Sequence, residues 1–289
     1  MPDPASPVRG IRYRNPDWPG LRVEAVTFRT LGRREPEAHF RRPRRPDFHH
    51  LFLCTAGEGS HTVDFQRLDL APRAVVHVAP GQVHAFGWGP DMDGIVLMFA
   101  PEALPPEPSG LAVRLPPCLR VEADDFPWVA SAFGDLLAEY GRTDGGPVSA
   151  RAMQHLLAAL VLRLGRLAAR REAGLPVSPL RAELFRLFEA EVERNFFRTR
   201  TVADYARRLG YAERTLARAV QEAGGISPKA YIDDRVLLEA KRLLVHTGLD
   251  AGRIAARLGF SEPTNFAKFF RKGTGLAPGT FRKREQAGA

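Results

Sequence analysis

The stretch "IAARLGFSEPTNFAKFF", Ile254 to Phe270, joins a helical pattern, a glycine corner and a second helical pattern opened by Ser-Glu-Pro. A related stretch lies 49 residues earlier, where "ARRLGYAERT" (Ala206–Thr215) aligns with "AARLGFSEPT" (Ala255–Thr264). Seven of these ten positions are identical or exchange one aromatic residue for another. A duplicated supersecondary unit is the economical interpretation.

Each copy has the pattern of a helix, a sharp turn and a second helix. Gly210 and Gly259 follow the first helices, and glycine readily adopts the left-handed conformation that ends a helix. Ala206 and Ala255 put a small side chain where the two helices cross, so a turn of a few residues can join them. The second helices are predicted over Glu213–Ala223 and Glu262–Lys272.

The outward positions of the second helices carry side chains that suit DNA. Arginine pairs with guanine, asparagine with adenine, and threonine with the thymine methyl group or a phosphate. A helical bundle with solvated basic faces is the alternative, and the duplication favours DNA binding over it. The outward side chains are Arg214, Thr215 and Arg218 in the first copy, and Thr264, Asn265, Lys268, Arg271 and Lys272 in the second.

The segment between the copies is predicted to be one long helix. It begins with Ser227-Pro228, a cap followed by a first-turn proline, and continues with helical apolar spacing. A helix of about 18 residues spans roughly 27 Å. Adjacent major grooves on one face of B-DNA lie about 34 Å apart, so a single chain can present both second helices to them.

The positive charge is confined to the C-terminal third. Residues 198–289 hold 18 Lys+Arg and 9 Asp+Glu, whereas residues 1–197 hold 24 of each, so the whole net charge of +9 follows residue 197. A neutral two-thirds joined to a basic third indicates two modules, one of which meets a polyanion. The alternative is a basic surface that only maintains solubility.

From about Leu180 to Arg284 the chain resembles the DNA-binding domain of the AraC family of bacterial transcription regulators. The resemblance is carried by "TVADYARRLGYAERTLARAV", "SPKAYIDDRVLLEAKRLL" and "IAARLGFSEPTNFAKFFRKGTGLAPGTFRK". Its last part, Gly273–Arg282, is similar to the family's Gly-x-x-Pro-x-x-Tyr-Arg ending, with Phe281 in place of the tyrosine. In that family the second helix of each unit enters the major groove.

Matched by position, the resemblance implies DNA contacts in both second helices. Two departures from the family pattern matter: Ala212 replaces the usual serine cap, and Ala217 offers no hydrogen bond. They put the weight of readout by the first copy on Arg214 and Arg218. The implicated residues are Arg214, Thr215, Ala217 and Arg218, then Pro263, Thr264, Asn265 and Lys268.

The region from about Val8 to Pro101 is predicted to form short strands without helices, as in a small β-barrel or jelly roll. Turn signals at Gly57-Glu58-Gly59, Pro72 and Pro80-Gly81 separate its apolar segments. "LAPRAVVHVAPGQVHAF" is similar to the sugar-type sensor domain of the same family, a cupin barrel. The expected fold class is α+β with two domains: an N-terminal cupin-like barrel with dimerisation helices, and an all-α domain in which a long helix joins two helix-turn-helix units.

Cupin enzymes hold a metal with histidines and a carboxylate, so the histidines are the test for such a site. "PGQVH" resembles the second cupin motif. The first motif needs His-x-His followed by Glu, and here His49 and His50 are adjacent. Neighbouring strand residues point to opposite faces, so these two cannot ligate one ion. No metal and no cofactor are expected.

A small effector is expected inside the barrel. The basic run "RRPRRP" (Arg41–Pro46) is interpreted as a solvated loop, with ordering around an anionic effector or phosphate as the alternative. Simple core packing is the alternative for the two phenylalanines among the candidates. The candidates are His61 and His84 as hydrogen-bonding groups, and Phe65 and Phe86 as walls.

Two helices are predicted after the barrel, over Pro127–Tyr140 and Ser149–Glu172. The second carries a heptad-like seam, which predicts a helix contact. Packing against the barrel of the same chain and a dimer seam are both open, and the family resemblance favours the dimer. The expected divisions are 1–125 (sensor), 126–172 (dimerisation), 173–179 (linker) and 180–289 (DNA binding). The seam residues are Met153, Leu157, Leu160, Leu164 and Leu167.

The prediction is thus a cytoplasmic transcription regulator and not an enzyme, with no catalytic residue singled out. "MPDPASPVRG" lacks the apolar core of a signal peptide, and no run of 18 apolar residues occurs. The expected partners are double-stranded DNA, a small effector, a second copy of the chain and RNA polymerase, without a membrane.

Two other classes of protein stay open. One is a cupin-type metal enzyme with a DNA-binding tail. The other is a DNA-repair methyl acceptor, which needs a reactive cysteine in a basic, polar setting. Cys54 lies in an apolar strand and Cys118 follows two prolines, which disfavours the second class.

Overall fold

The N-terminal strands of the computed structural model are short and arrange themselves in two sheets. The structure describes residues 9–89, 91–105, 108, 112, 115–171 and 178–287. The strands are β1 (Arg9–Ile11), β2 (Val23–Thr27), β3 (Arg44–Pro46), β4 (His49–Ala56), β5 (Gly59–Val63), β6 (Gln66–Leu70), β7 (Ala74–Val78), β8 (His84–Gly87), β9 (Asp93–Phe99) and β10 (Cys118–Arg120). One sheet has the order β1-β3-β8-β5-β6 and the other β10-β7-β4-β9-β2. Among the described strands these pairings do not close into a single ring, so the predicted barrel is present as two facing sheets.

Strand β4 contributes side chains to two hydrophobic cores, one on each face of its sheet. Alternate residues of a strand point to opposite faces of its sheet. Leu51 and Leu53 belong to a core shared with the later helices, whereas Phe52 and Cys54 belong to a core between the two sheets. Because both faces of β4 are covered, its segment reads as a nearly continuous apolar run.

Two short helices interrupt the strands, so the expectation of strands without helices was wrong. They are α1 (Phe28–Arg34) and α2 (Glu37–Phe40). Thr27 ends β2 and caps α1, because its side-chain oxygen accepts a hydrogen bond from the backbone N–H of Thr30 at 3.1 Å. Phe28 is fully buried under this helix, which fixes the helix on the core between the sheets.

The helices after the sheets are α3 (Phe126–Arg142) and α4 (Pro147–Arg171). Pro147–Arg170 is long and apolar enough to cross a membrane by length and composition alone, a test that core helices also pass. The five seam residues of α4 are 0–6% exposed and pack in the core of their own unit against α3 and β2. These five residues therefore pack within their own chain, which is the first of the two alternatives left open by the sequence.

The C-terminal helices form a second unit. The chain divides into Val8–Ala173 and Gly174–Ala289. The predicted linker 173–179 lies mostly outside the described residues. The helices are α5 (Pro179–Asn195), α6 (Val202–Leu209), α7 (Glu213–Gly224), α8 (Pro228–His246), α9 (Ala251–Arg257), α10 (Pro263–Thr274) and α11 (Pro278–Ala287). The predicted fold class, with a sheet-rich N-terminal domain and a helical domain containing two helix-turn-helix units, is confirmed.

The two helix-turn-helix corners are built alike. Gly210 and Gly259 have φ of 74° and 71°, in the left-handed region. The next residue turns back in both copies: the backbone N–H of Tyr211 donates to the carbonyl of Ala206 at 3.0 Å, and that of Phe260 donates to Ala255 at 2.9 Å. The same bond recurs at an offset of 49 residues, so the sequence duplication is a structural one.

Helix α8 joins the two helix-turn-helix units and contacts helices of both. Ser227 caps it by accepting a hydrogen bond from the backbone N–H of Ala230 at 3.2 Å, and Pro228 occupies its first turn, as predicted. Ile232, Val236 and Ala240 are fully buried along its inner face. With 19 residues, the helix is about 28 Å long.

Candidate nucleic-acid interface and effector cavity

Helices α7 and α10 each present one polar face because their apolar face is anchored. Leu216 and Val220 of α7 are fully buried, and so are Phe266 and Phe270 of α10. These pairs lie four residues apart, which places them on one side of each helix. The opposite side of each helix carries the predicted DNA-binding residues.

The structure exposes nine of the ten predicted DNA-binding residues and leaves Ala217 half-buried. Ala217 lies beside the buried Leu216, so it offers little surface. Thr264 donates its hydroxyl to the Glu262 carboxylate at 3.3 Å. The exposed residues are Arg214, Thr215, Arg218, Pro263, Thr264, Asn265, Lys268, Arg271 and Lys272.

The basic side chains on these two outward faces form no ion pairs within the described part of the chain. Among the described residues, Arg214, Arg218, Lys268, Arg271 and Lys272 form no ion pair. Basic residues on other faces of the unit do form ion pairs, for example Arg207 with Asp204, Arg253 with Asp250 and Arg194 with Glu191. Both outward faces therefore carry positive charge that no described carboxylate compensates.

The N-terminal unit contains a cavity of about 650 Å³. This volume lies within the usual range for small-molecule sites. His84 and Phe86 line it, His61 lies behind His84, and Phe65 is 37% exposed in the β5–β6 turn, away from the lining. The charged and aromatic side chains that line the cavity are Arg12, Tyr13, Arg14, Glu24, Arg34, Glu35, Phe40, Arg44, Phe48, His50, Phe52, His84 and Phe86.

The buried histidines form two contacting pairs. His61 Nε2 lies 2.9 Å from His84 Nδ1, and His49 Nδ1 lies 3.1 Å from His77 Nε2. Burial lowers the pKa of His77 to about 4 and that of His84 to about 3. The charged form loses hydration on burial, so these rings are neutral at neutral pH.

The adjacent histidines His49 and His50 point to opposite faces of strand β4. His49 packs on Phe99, in the core that faces the helices, whereas His50 packs beside Phe52 between the sheets, so the two point to opposite faces as predicted. Among the residues that the structure describes, no three His, Cys, Asp or Glu side chains converge in a metal-binding arrangement.

The basic run is partly ordered by the fold. Arg44 donates to the Glu35 carboxylate at 2.6 Å and lies over the ring of Phe40, 5.0 Å from its centroid. Arg45 donates to the carbonyl of Gly81 at 2.9 Å. Arg44 lines the cavity, so its segment is more than a solvated loop.

The sequence analysis missed Arg12, Tyr13 and Arg14, which line the cavity from the segment after β1. The predicted cavity residues are histidines and phenylalanines of the barrel region, whereas these three residues lie in a segment without clear alternation. The alternation of cation, aromatic ring and cation in "RYR" was the available signal. Only the folded chain shows that this segment borders the cavity.

Two family models match the two parts of the chain. Residues 26–187 match a family model described as "AraC-like ligand binding domain", and residues 205–284 match one described as "Helix-turn-helix domain". The first match alone covers more than half of the chain. The chain belongs to the AraC family. The predicted family is thereby confirmed, and this AraC-family chain joins a ligand-binding domain to a helix-turn-helix domain.

Individual relatives are distant. The HTH-type transcriptional activator RhaS of Klebsiella pneumoniae (strain 342) is 24% identical over 279 residues, 93% of this chain and 95% of RhaS. The uncharacterized HTH-type transcriptional regulator YisR of Bacillus subtilis (strain 168) is 35% identical over 83 residues, 29% of each protein. Among solved structures, unsaturated fatty acid-bound ToxT from Vibrio cholerae aligns with a TM-score of 0.40 at 13% identity, over 82% of this chain and 87% of ToxT.

Proposed function

We propose that this AraC-family protein is a transcription regulator that reads two adjacent major-groove segments, one with α7 and one with α10. The observation that carries this proposal is that the outward faces of both helices carry exposed basic side chains that form no ion pair with a described residue, whereas Arg194, Arg207 and Arg253 on other faces are paired. Arg218 and Lys268 occupy equivalent places in the duplication. A helix of about 28 Å between the two units suits the spacing of about 34 Å between adjacent grooves.

Each predicted DNA-binding residue has a role that its chemistry supports. Arg214 and Arg218 suit guanine edges, and Asn265 suits adenine. Thr215 and Thr264 suit a thymine methyl group or a phosphate. The remaining residues are assigned to apolar contact (Ala217 and Pro263) and to phosphates (Lys268, Arg271 and Lys272).

We propose that the cavity of the N-terminal unit binds the small-molecule effector. His84 and Phe86 belong to its wall, and His61 orients His84; Phe65 is a candidate of lower priority because it lies outside the lining. An effector that binds one arrangement of the two domains better than another shifts the population toward that arrangement. In this way, effector binding changes which DNA sites the protein occupies.

Further properties are proposed on the family alone. They are a cytoplasmic location, a homodimer, contact with RNA polymerase, a cupin-type sensor, the divisions 1–125, 126–172, 173–179 and 180–289, and the absence of an enzymatic activity. The homodimer has to use a surface other than the α4 seam, because that seam is buried within its own unit.

The test is selection of bound duplexes from random DNA, with the full-length protein at a stated salt concentration. Enrichment of two short motifs about one helical turn apart supports the proposal. If nothing is enriched, with or without effector, and binding merely weakens with salt, the basic faces are a non-specific polyanion surface. A variant with Arg207→Ala, on a paired and exposed arginine of α6, is the control that should enrich the same motifs.

A further inference from the structure

The inner wall of the cavity in the N-terminal unit is aromatic. Phe52 lies 5.2 Å from Phe86 and 5.5 Å from His50, measured between ring centroids, and Phe48 lies 4.6 Å from His50. Phe52 and Phe86 also belong to the core between the two sheets, which holds the wall in place. Aromatic rings of this kind favour offset stacked or edge-to-face contacts with another ring.

One polar atom of this wall, His50 Nδ1, has no hydrogen-bond partner among the described residues. His50 is 7% exposed, and burial lowers its pKa, so its ring is neutral. His84 belongs to the same lining, and its Nδ1 lies 2.9 Å from Nε2 of His61. Buried polar groups are nearly always paired in folded proteins, so His50 Nδ1 indicates a ligand that supplies the missing partner.

Only some of the arginines that line the cavity form ion pairs with carboxylates. Arg34 is paired with Glu24 and Asp17, and Arg44 is paired with Glu35. Arg12 and Arg14 are exposed and form no ion pair with a described residue. They line the cavity while remaining in contact with solvent, so they lie at its opening. A positive opening above an aromatic wall is complementary to an anion attached to an apolar ring.

We infer that the effector is a small aromatic carboxylate: its carboxylate binds Arg12 and Arg14, its ring packs on Phe52 and Phe86, and a hydroxyl or carbonyl group meets His50. This inference rests on the proposed function, because it names the ligand of the same cavity. A neutral sugar fits less well. Several of its hydroxyl groups would face phenylalanine rings that offer no hydrogen bond, and desolvated hydroxyls without partners weaken binding.

The test is calorimetric titration of the full-length protein with acids and their matched neutral amides. The probes are benzoate, benzamide, 4-hydroxybenzoate, 4-hydroxybenzamide, octanoate and L-rhamnose. We expect 4-hydroxybenzoate to bind about tenfold or more tightly than its amide, because a charge-assisted hydrogen bond is lost in the amide. The double substitution Arg12→Gln and Arg14→Gln should remove this difference. Arg42→Gln, on an exposed arginine outside the lining, should leave it unchanged.

Four outcomes would overturn the inference. They are binding of L-rhamnose without binding of either aromatic acid, tighter binding of octanoate than of both aromatic acids, equal affinity for acid and amide, and no binding of any of the acids. The titration needs no DNA, whereas failure of the proposed function appears as an absence of enriched DNA motifs. The two failures are therefore distinguishable.

Discussion

The carbonyl oxygen of Phe197 lies against Gly259, only 2.6 Å from the position that a Cβ atom would take there. Arg200, in the same segment, places its Cζ atom 3.5 Å from the ring centroid of Phe260. The segment that precedes the first helix-turn-helix unit is therefore packed on the corner of the second. The two units are held together by this contact as well as by α8.

The two corner glycines should respond differently to alanine. Gly210→Ala meets no atom within 4 Å, so its cost is the left-handed conformation, about 1–2 kcal/mol of unfolding free energy. Gly259→Ala carries the same conformational cost and also collides with the Phe197 carbonyl. We expect it to lose at least about 1 kcal/mol more, a typical effect of overpacking. Urea unfolding followed by far-ultraviolet circular dichroism measures both.

Equal losses in the two variants would show that the segment at Phe197 moves aside freely. In that case it does not hold the second unit in position.

Arg218 tests base readout by the first unit. If it pairs with a base, Arg218→Ala should weaken DNA binding by about 1–3 kcal/mol and remove the preference at one base pair. Weakening that is uniform across sequences, with a salt slope reduced by about 1, would instead assign it to a phosphate. Binding of a set of single-base variants of the selected site separates these results.

The α4 seam should behave as part of a monomer core. Leu160 is fully buried, so Leu160→Ala should cost about 2–5 kcal/mol of unfolding free energy. Leu162 is 42% exposed, so Leu162→Ala should stay within about 0.5 kcal/mol. All three tryptophans, Trp18, Trp88 and Trp128, lie in the N-terminal unit, so tryptophan fluorescence reports on its unfolding. A loss in Leu160→Ala that disappears at high protein concentration would restore the dimer seam.

Arg282, in the family-like ending, caps α8. Its guanidinium donates to the carbonyl of Leu244 at 2.7 Å and also to the carbonyl of Leu249. Hydrogen bonds from a charged group to these carbonyls should contribute about 1.5–3 kcal/mol. Arg282→Gln should lower the urea concentration at which half of the helical signal in circular dichroism is lost. Lys283→Gln, on the exposed neighbour, should leave that midpoint unchanged. Equal effects of the two changes would mean that overall charge matters and the cap does not.

The helical domain was predictable because its information is local and repeated. Gly210 and Gly259 sit at matching places in two similar segments, and each ends a helix whose apolar spacing is clear. The tighter packing at Gly259 than at Gly210 was not predictable from the sequence. It arises from a contact between Gly259 and Phe197, which are 62 positions apart in the chain.

The cavity was less predictable for a related reason. Residues such as His84 and Phe86 lie on a strand with clear alternation, and the analysis selected them. Arg12 and Arg14 lie in a connecting segment without periodicity, and their place at the cavity depends on how β1 pairs with β3. The apolar spacing of the α4 seam would be the same whether the helix packed within its own chain or against a second copy. A heptad pattern indicates that a helix packs against something, and it does not identify the partner.

The buried histidines predict that the N-terminal unit loses stability in mild acid. The pKa of His77 falls to about 4 and that of His84 to about 3, and those of His49, His50 and His61 are also lowered by burial. In the unfolded chain these rings titrate near pH 6.5. Below that pH the unfolded state binds protons that the folded state does not. Unfolding is therefore favoured progressively as the pH falls from 6.5 toward the folded-state pKa values.

Each such histidine contributes a slope of up to about 1.4 kcal/mol per pH unit, and between pH 6.5 and 5 most carboxylates of the unfolded chain are still ionised. Urea unfolding followed by tryptophan fluorescence should therefore show stability falling by at least about 1.4 kcal/mol per unit in this window. His49→Phe should reduce the slope, whatever it does to stability at pH 7.5, because one neutral buried ring is removed. His155→Gln, on the exposed face of α4, should leave the slope unchanged. A flat profile from pH 7.5 to 5 would mean that the buried rings take up protons in the folded state.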